Sequence, residues 1–222
     1  MMRRLVPGLM ALLASVGAGA AEIPLYPTGP EKDSAFLRFA NGTGAELKLV
    51  ADGSRASLVL GADKRVSDYL PVSGGSAPIK GVLSQGAQHA QLSVTVAPGE
   101  FATVVAVNDT GGGIRQVVIH EQPDDFNALK ASLAFVNADV ACADATLVAV
   151  EQKAELFKQV AEGAVQRRMI NPVALAVQLK CAGAPVGQPL SLSLKAGERY
   201  SVLALPSASG STLLFTADTL AN

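Results

Sequence analysis

Ser93–Val107 reads SVTVAPGEFATVVAV and Ser191–Leu205 reads SLSLKAGERYSVLAL. Both run through apolar alternation, a small residue, Gly-Glu and an aromatic into a second apolar alternation. The two stretches stand roughly a hundred residues apart, too long for a solenoid unit and about the length of a whole domain. On either side of them the match continues: LKASLAFVNADVACADATLVAV from Leu129 parallels DSAFLRFANGTGAELKLV from Asp33, with Asn137 in the turn place of Asn41. Likewise ERYSVLALPSASGSTLLFTAD from Glu198 answers EFATVVAVNDTGGGIRQVVIH from Glu100. The chain therefore reads as all-β, with two tandem, internally related β-sandwich domains over 33–122 and 129–222. Between them EQPDDFNA, with Pro123 and the Asp124-Asp125 pair, suits an exposed linker at 123–128. Each half is expected to fold alone when the chain is cut within Glu121 to Ala128.

Composition points the same way. Hydrophobic residues make up 49% of the chain but aromatics only 5%, and 21 Gly and 12 Pro punctuate runs rich in Val, Leu, Ser and Thr, which fits short strands and tight turns better than packed helices. In SAFLRFANGTGAELKLVADG, the alternation at Phe36, Leu37 and Phe39, the Asn41-Gly42 turn and the run through Leu47 and Leu49 to Asp52-Gly53 predict a hairpin. Phe101 to Val107 and Ile114 to Ile119 flank NDTGGG, whose glycines suit the positive φ of a hairpin loop. KAELFKQVAEGAVQRRM from Lys153 is ambiguous, because Leu156, Phe157, Val160, Ala161 and Ala164 stand at helical spacing among good helix formers. The matching place in the first repeat, SRASLVLGADKRVSDYL, is a poor helix, so strands are expected, with an isolated helical turn as the alternative.

Residues 1–20 read as a cleaved export signal, with Arg3 and Arg4, an apolar stretch from Leu5 to Val16 and an A-x-A site at Ala18-Gly19-Ala20. That stretch is shorter than the roughly 20 apolar residues that span a bilayer. EIPLYPTGPEKD then reads as an extended arm over 21–32, since Pro24, Pro27 and Pro30 lack the donor that a central strand needs. The only cysteines are Cys142 and Cys181, both in the second half. An even count in an exported chain predicts a disulfide, which would stabilise by about 2–4 kcal/mol, and two buried free thiols are the alternative.

Net charge is −1, with no basic stripe interleaved with aromatics, so nucleic acid is set aside as a partner. A nucleophilic enzyme needs a Ser or Cys, a base and a third group to orient the base. The two histidines, His89 and His120, lie away from any G-x-S-x-G elbow and read as solvated strand positions. Asp124-Asp125 is linker and Asp63 with Asp68 is spread over a turn, which gives no pair of carboxyls in contrasting environments. NDTGGG lies between strands, with no helix to receive a phosphate. NGT and NDT match the glycosylation pattern, although turns are the commoner reason for such tripeptides. No catalytic, metal or cofactor-binding residue is assigned, and no cofactor is expected.

Three stretches carry a family resemblance. LYPTGPEKDSAFLRFANGT from Leu25, RRMINPVALAVQLKCAGAPVG from Arg167 and LKAGERYSVLAL from Leu194 resemble the opening, the second-domain signature and the penultimate strand pair of the periplasmic alginate O-acetylation proteins of the AlgF family. The resemblance implies a non-catalytic periplasmic adaptor, peripheral to the inner membrane. It would link a membrane-bound O-acyltransferase to periplasmic acetyltransferases, and the polysaccharide itself is a further candidate partner. Cys142, Cys181 and the segment from Lys153 to Arg168 depart from the family pattern, and similar subunits serve acetylated cellulose, so the polymer is alginate or a similar one. The other reading is a secreted carbohydrate-binding or adhesion module without an acetylation role. The absence of Trp and the presence of only three Tyr count against ring stacking on a glycan.

Overall fold

The computed structural model describes residues 34–123 and 127–221. The export signal at 1–20, the arm at 21–32 and the Asp124-Asp125 pair lie outside the described residues. In the first half, β1 (Ser34–Asn41), β4 (Leu70–Ser73), β7 (Phe101–Asn108) and β8 (Ile114–Glu121) form a sheet in the order β4-β1-β7-β8. The facing sheet takes β2 (Leu47–Ala51), β3 (Leu58–Leu60), β5 (Ile79–Gln85) and β6 (Gln88–Val94) in the order β3-β2-β5-β6. The second half repeats this plan. There β9 (Ala131–Asn137), β12 (Val165–Ile170), β15 (Arg199–Ser207) and β16 (Gly210–Ala217) are ordered β12-β9-β15-β16. Opposite them, β10 (Ala145–Ala149), β11 (Ala154–Val160), β13 (Val173–Cys181) and β14 (Ala184–Leu194) are ordered β11-β10-β13-β14. Even the parallel pair recurs, β1 with β7 and β9 with β15. The protein is a tandem of two β-sandwiches.

Each half closes its own core. Leu37 and Phe39 of β1 and Val104 of β7 meet Leu47, Leu83 and Leu92 in the first, while Leu133, Phe135 and Val202 meet Leu147, Val177 and Leu179 in the second. A third apolar cluster lies between the halves, where Ala40, Val105, Val107, Val117 and Ile119 face Val136, Ala138, Leu203 and Leu205. The inner sheets are thus buried on both faces and the four sheets stack in layers. This explains why FATVVAVN and ASLAFVN run almost continuously apolar where a one-sided sheet alternates.

Asn41-Gly42 does not close a hairpin. β1 pairs with β4 and β7, whereas β2 pairs with β3 and β5 in the opposite sheet. The chain crosses between sheets here because Asn41 is buried and holds the corner. Its Nδ2 donates to the carbonyls of Ala45 (2.6 Å) and Leu60 (2.8 Å), and its Oδ1 accepts from the Thr43 backbone N–H (3.0 Å). Asn137 does the same in the second half, with Nδ2 donating to Cys142 O (2.7 Å) and Val160 O (2.9 Å) and Oδ1 accepting from Asp139 N (3.0 Å). Asn137→Ala should therefore cost about 2 kcal/mol, since it strands buried backbone groups. Chemical denaturation of the variant measures this, and a change below about 0.5 kcal/mol would show that water replaces the amide. The expected hairpin at NDTGGG does form, as β7 pairs antiparallel with β8 and Gly112 has φ 76°.

The ambiguous segment from Lys153 is strand, in β11 and β12. Its helix-like spacing comes from an irregularity in the β10–β11 ladder. With Gln159 at φ 49°, the extra residue turns Val160 inward beside Phe157, three positions apart, and both are buried.

Candidate functional site

The seam between the halves concentrates the buried charge. Arg38 follows Leu37 on β1 and so points away from the first core, toward the second domain. It is 1% exposed. Its Nη1 donates to Asp218 Oδ1 (2.5 Å), its Nη2 to Ser201 Oγ (2.8 Å) and its Nε to Thr103 Oγ1 (2.9 Å), while Cζ lies 4.4 Å from the centre of the Tyr69 ring. Arg167 on β12 completes the cluster. Its Nη2 donates to Asp218 Oδ2 (2.8 Å), its Nη1 to Ser132 Oγ (3.0 Å) and its Nε to Glu121 Oε1. Ser201 Oγ donates in turn to Asp218 Oδ1 (2.8 Å).

Burial alone would raise the Asp218 carboxyl, but the two guanidinium groups and the Ser201 hydroxyl hold it below the ordinary carboxylate range. Burial also works against the Arg167 charge, yet Glu121 and Asp218 raise that guanidinium above its usual value. Arg38 and Glu121 come from the first half and Arg167 and Asp218 from the second, so each half supplies one charge of either sign. The last residues reinforce the clamp. Tyr69 N donates to Thr219 O (2.8 Å), Ala221 N donates to Tyr69 O (2.8 Å) and Thr219 Oγ1 donates to Asp68 Oδ1. Ser201 is fully buried and gives its proton to a carboxylate already neutralised by two arginines. This cluster holds two domains together and offers a substrate no approach.

A groove follows the seam outside the clamp. Its first cavity, about 560 Å³, lies between Gly42–Ala45 and Asn108 of the first half and Pro206–Ala208 of the second. A cavity of about 520 Å³ along Gly61 and Ala62 and another of about 290 Å³ bounded by Leu214–Ala217 continue it. Arg65 lines all three.

The structure keeps the two histidines apart in function. His89 Nδ1 lies 3.0 Å from Ser84 Oγ, its cross-strand neighbour on the exposed face of the β5–β6 pair, and among the described residues no carboxylate bonds to that ring. His120 Nδ1 lies 3.2 Å from Glu100 Oε2 but has no hydroxyl or thiol partner among the described residues. One ring has a hydroxyl and the other a carboxylate, and neither has both. Asp63 is exposed, and Asp68 pairs with Lys64 at 2.7 Å. Cys142 closes the 3-10 turn Val140–Cys142, Cys181 ends β13, their Cα atoms are 5.0 Å apart and the sulfurs are bonded. Protein purified without reductant is expected to show no alkylatable thiol before reduction and two after it. Alkylation of the unreduced chain would refute the pairing.

Sequence reasoning missed the clamp. One signal was present, since Arg38 interrupts the apolar run from Ala35 to Ala40 in β1, but nothing local joins it to Asp218, 180 residues away.

Two β-sandwiches clamped face to face by buried ions, with a groove along their seam, define a double-sandwich protein whose best-placed charges hold the domains together. The chain belongs to the AlgF family: the family model described as alginate O-acetyl transferase AlgF matches residues 9–201. This membership ties it to alginate O-acetylation. The match ends before β16 and Asp218. Among solved structures, the C-terminal domain of AlgF from P. aeruginosa is similar at 21% identity and TM-score 0.36, over 40% of this chain and 98% of that one. The TIE protein of Bacillus anthracis is similar at 12% identity and TM-score 0.25, over 77% of this chain and 33% of that one. No curated protein matches the sequence. Among the described residues, no helix is long and apolar enough to cross a membrane.

Proposed function

We propose that this chain is a non-catalytic periplasmic adaptor in O-acetylation of alginate or a similar exopolysaccharide, linking a membrane-bound acyl transferase to periplasmic acetyltransferases. Membership of the AlgF family carries the reading. Two features support the absence of catalysis. An acyl-transfer centre needs nucleophile, base and orienting group within hydrogen-bond reach of one another, and among the described residues Ser84–His89 and Glu100–His120 each stop at two members. Ser201, the buried hydroxyl that bonds the Asp218 carboxylate, is closed to solvent and held as a donor to it.

Deleting the chain should leave polymer made but poorly acetylated. The purified protein should neither release acetate from an activated acetyl ester nor move it to an oligosaccharide. Replacing His89 and His120 together by Ala should leave cellular acetylation nearly intact. Normal acetylation in the deletion strain would sink the reading, as would an acetyl-ester turnover that the double replacement abolishes.

A further inference from the structure

We propose that the seam groove around Arg65 is the docking site for an extended, carboxylate-bearing segment of a partner protein, with the carboxylate paired to Arg65. The proposal rests on the adaptor reading and adds to it the place and chemistry of one contact.

Arg65 is half-buried, and Nε and Nη2 both donate to the Asn41 carbonyl, at 3.1 and 2.9 Å. That carbonyl belongs to the buried corner residue, so the guanidinium is fixed in orientation. Among the described residues no carboxylate pairs with it, although Arg38, Arg115 and Arg167 each have one. Of the carboxylates that line these cavities, Asp68 is bonded by Lys64 and Thr219, and Glu46 and Asp63 are exposed and do not pair with Arg65. Burial lowers the pKa of Arg65, the mark of a cation short of solvent and of counter-charge. A guanidinium so placed gains most from a planar carboxylate, which accepts the charge-assisted bonds still on offer.

The walls say which kind of molecule carries that carboxylate. Gly42–Ala45 and Pro206–Ala208, which line the first cavity, are small residues. The two larger cavities have no aromatic ring in their lining, so they lack the stacking platform that a sugar ring takes. An extended peptide needs no such platform, because it binds through its own backbone with side chains set in pockets. Both halves line the first and third cavities, so the site exists only while the clamp holds the seam closed.

The test measures binding of the full exported chain to the purified periplasmic acetyltransferase of the same machinery. Arg65→Glu should weaken it at least about tenfold, the usual penalty for truncating one partner of a desolvated charge pair. Because Arg65 also holds the Asn41 carbonyl, a second variant avoids that bond: Ala208→Glu places a repelling carboxylate on the exposed rim and should cause a similar loss with an unchanged melting temperature. Ser191→Glu, on β14, should bind as the parent does. Binding by both groove variants within twofold of the parent would overturn the groove while leaving the adaptor reading intact. Failure of the parent chain itself to bind would overturn both. Two competitors decide the occupant: displacement of the transferase by a mannuronate oligosaccharide would make this a polysaccharide site, and displacement by a peptide of residues 21–33 would make it a seat for the protein's own arm. Either result overturns the proposal.

Discussion

Replacement of Asp218 by Ala is expected to destabilise the protein by about 3–5 kcal/mol, the range for breaking a buried ion pair from one side. Among the described residues only Asp218 pairs with both seam arginines, and its side chain is 2% exposed. Its loss leaves Arg38 buried without a counter-charge and leaves Arg167 with Glu121 alone. Combining Asp218→Ala with Arg38→Met should recover much of the loss, since removing both charges for apolar volume is often close to neutral. The same carboxylate sets an acid limit. Its folded pKa lies below its unfolded value, so its contribution is fully present above the ordinary carboxylate pKa and is lost as pH falls through the depressed folded value. The parent should weaken in acid more steeply than Asp218→Ala. Urea unfolding across pH measures both quantities, and a variant less than about 1 kcal/mol below the parent would show a solvated cluster.

Leu203→Ala is expected to cost about 2–5 kcal/mol, as for other fully buried leucines. Leu203 sits on β15 facing the seam and is completely buried, among Val105, Val107 and Leu205. The side chain touches neither closed core, so the loss falls on the attachment of the halves. This refines the expectation that a chain cut within Glu121 to Ala128 yields two independent domains. Each half retains a complete core of its own and should fold, but it then exposes its share of the seam cluster and half of the ion clamp. Mixed halves should reassociate, and Leu203→Ala in the second half should weaken that association by the same energy. Halves that stay apart when mixed would show that the seam needs the covalent link.

The class of fold, the duplication and the strand at most positions are legible in the residues alone, because these rest on local patterning. Gly-Glu followed by apolar alternation, written twice, is enough to predict two related sandwiches. Asn137 is likewise legible as the counterpart of Asn41, since turn chemistry is local, although the turn proved to be an arch between sheets. An Asn-Gly pair specifies a change of direction, and only the packing of Leu47 and Leu49 into the opposite sheet decides where the next strand goes. Phe157 and Val160 misled the periodicity for a similar reason, as a bulge rephases a strand without altering composition. The face-to-face docking of the inner sheets, the Arg38–Asp218–Arg167 clamp and the composite groove at Arg65 were decided by tertiary structure alone. Each joins residues from different halves, and ionic pairing between such distant positions leaves no spacing in the sequence, since the energy depends on separation in space and on burial and not on distance along the chain.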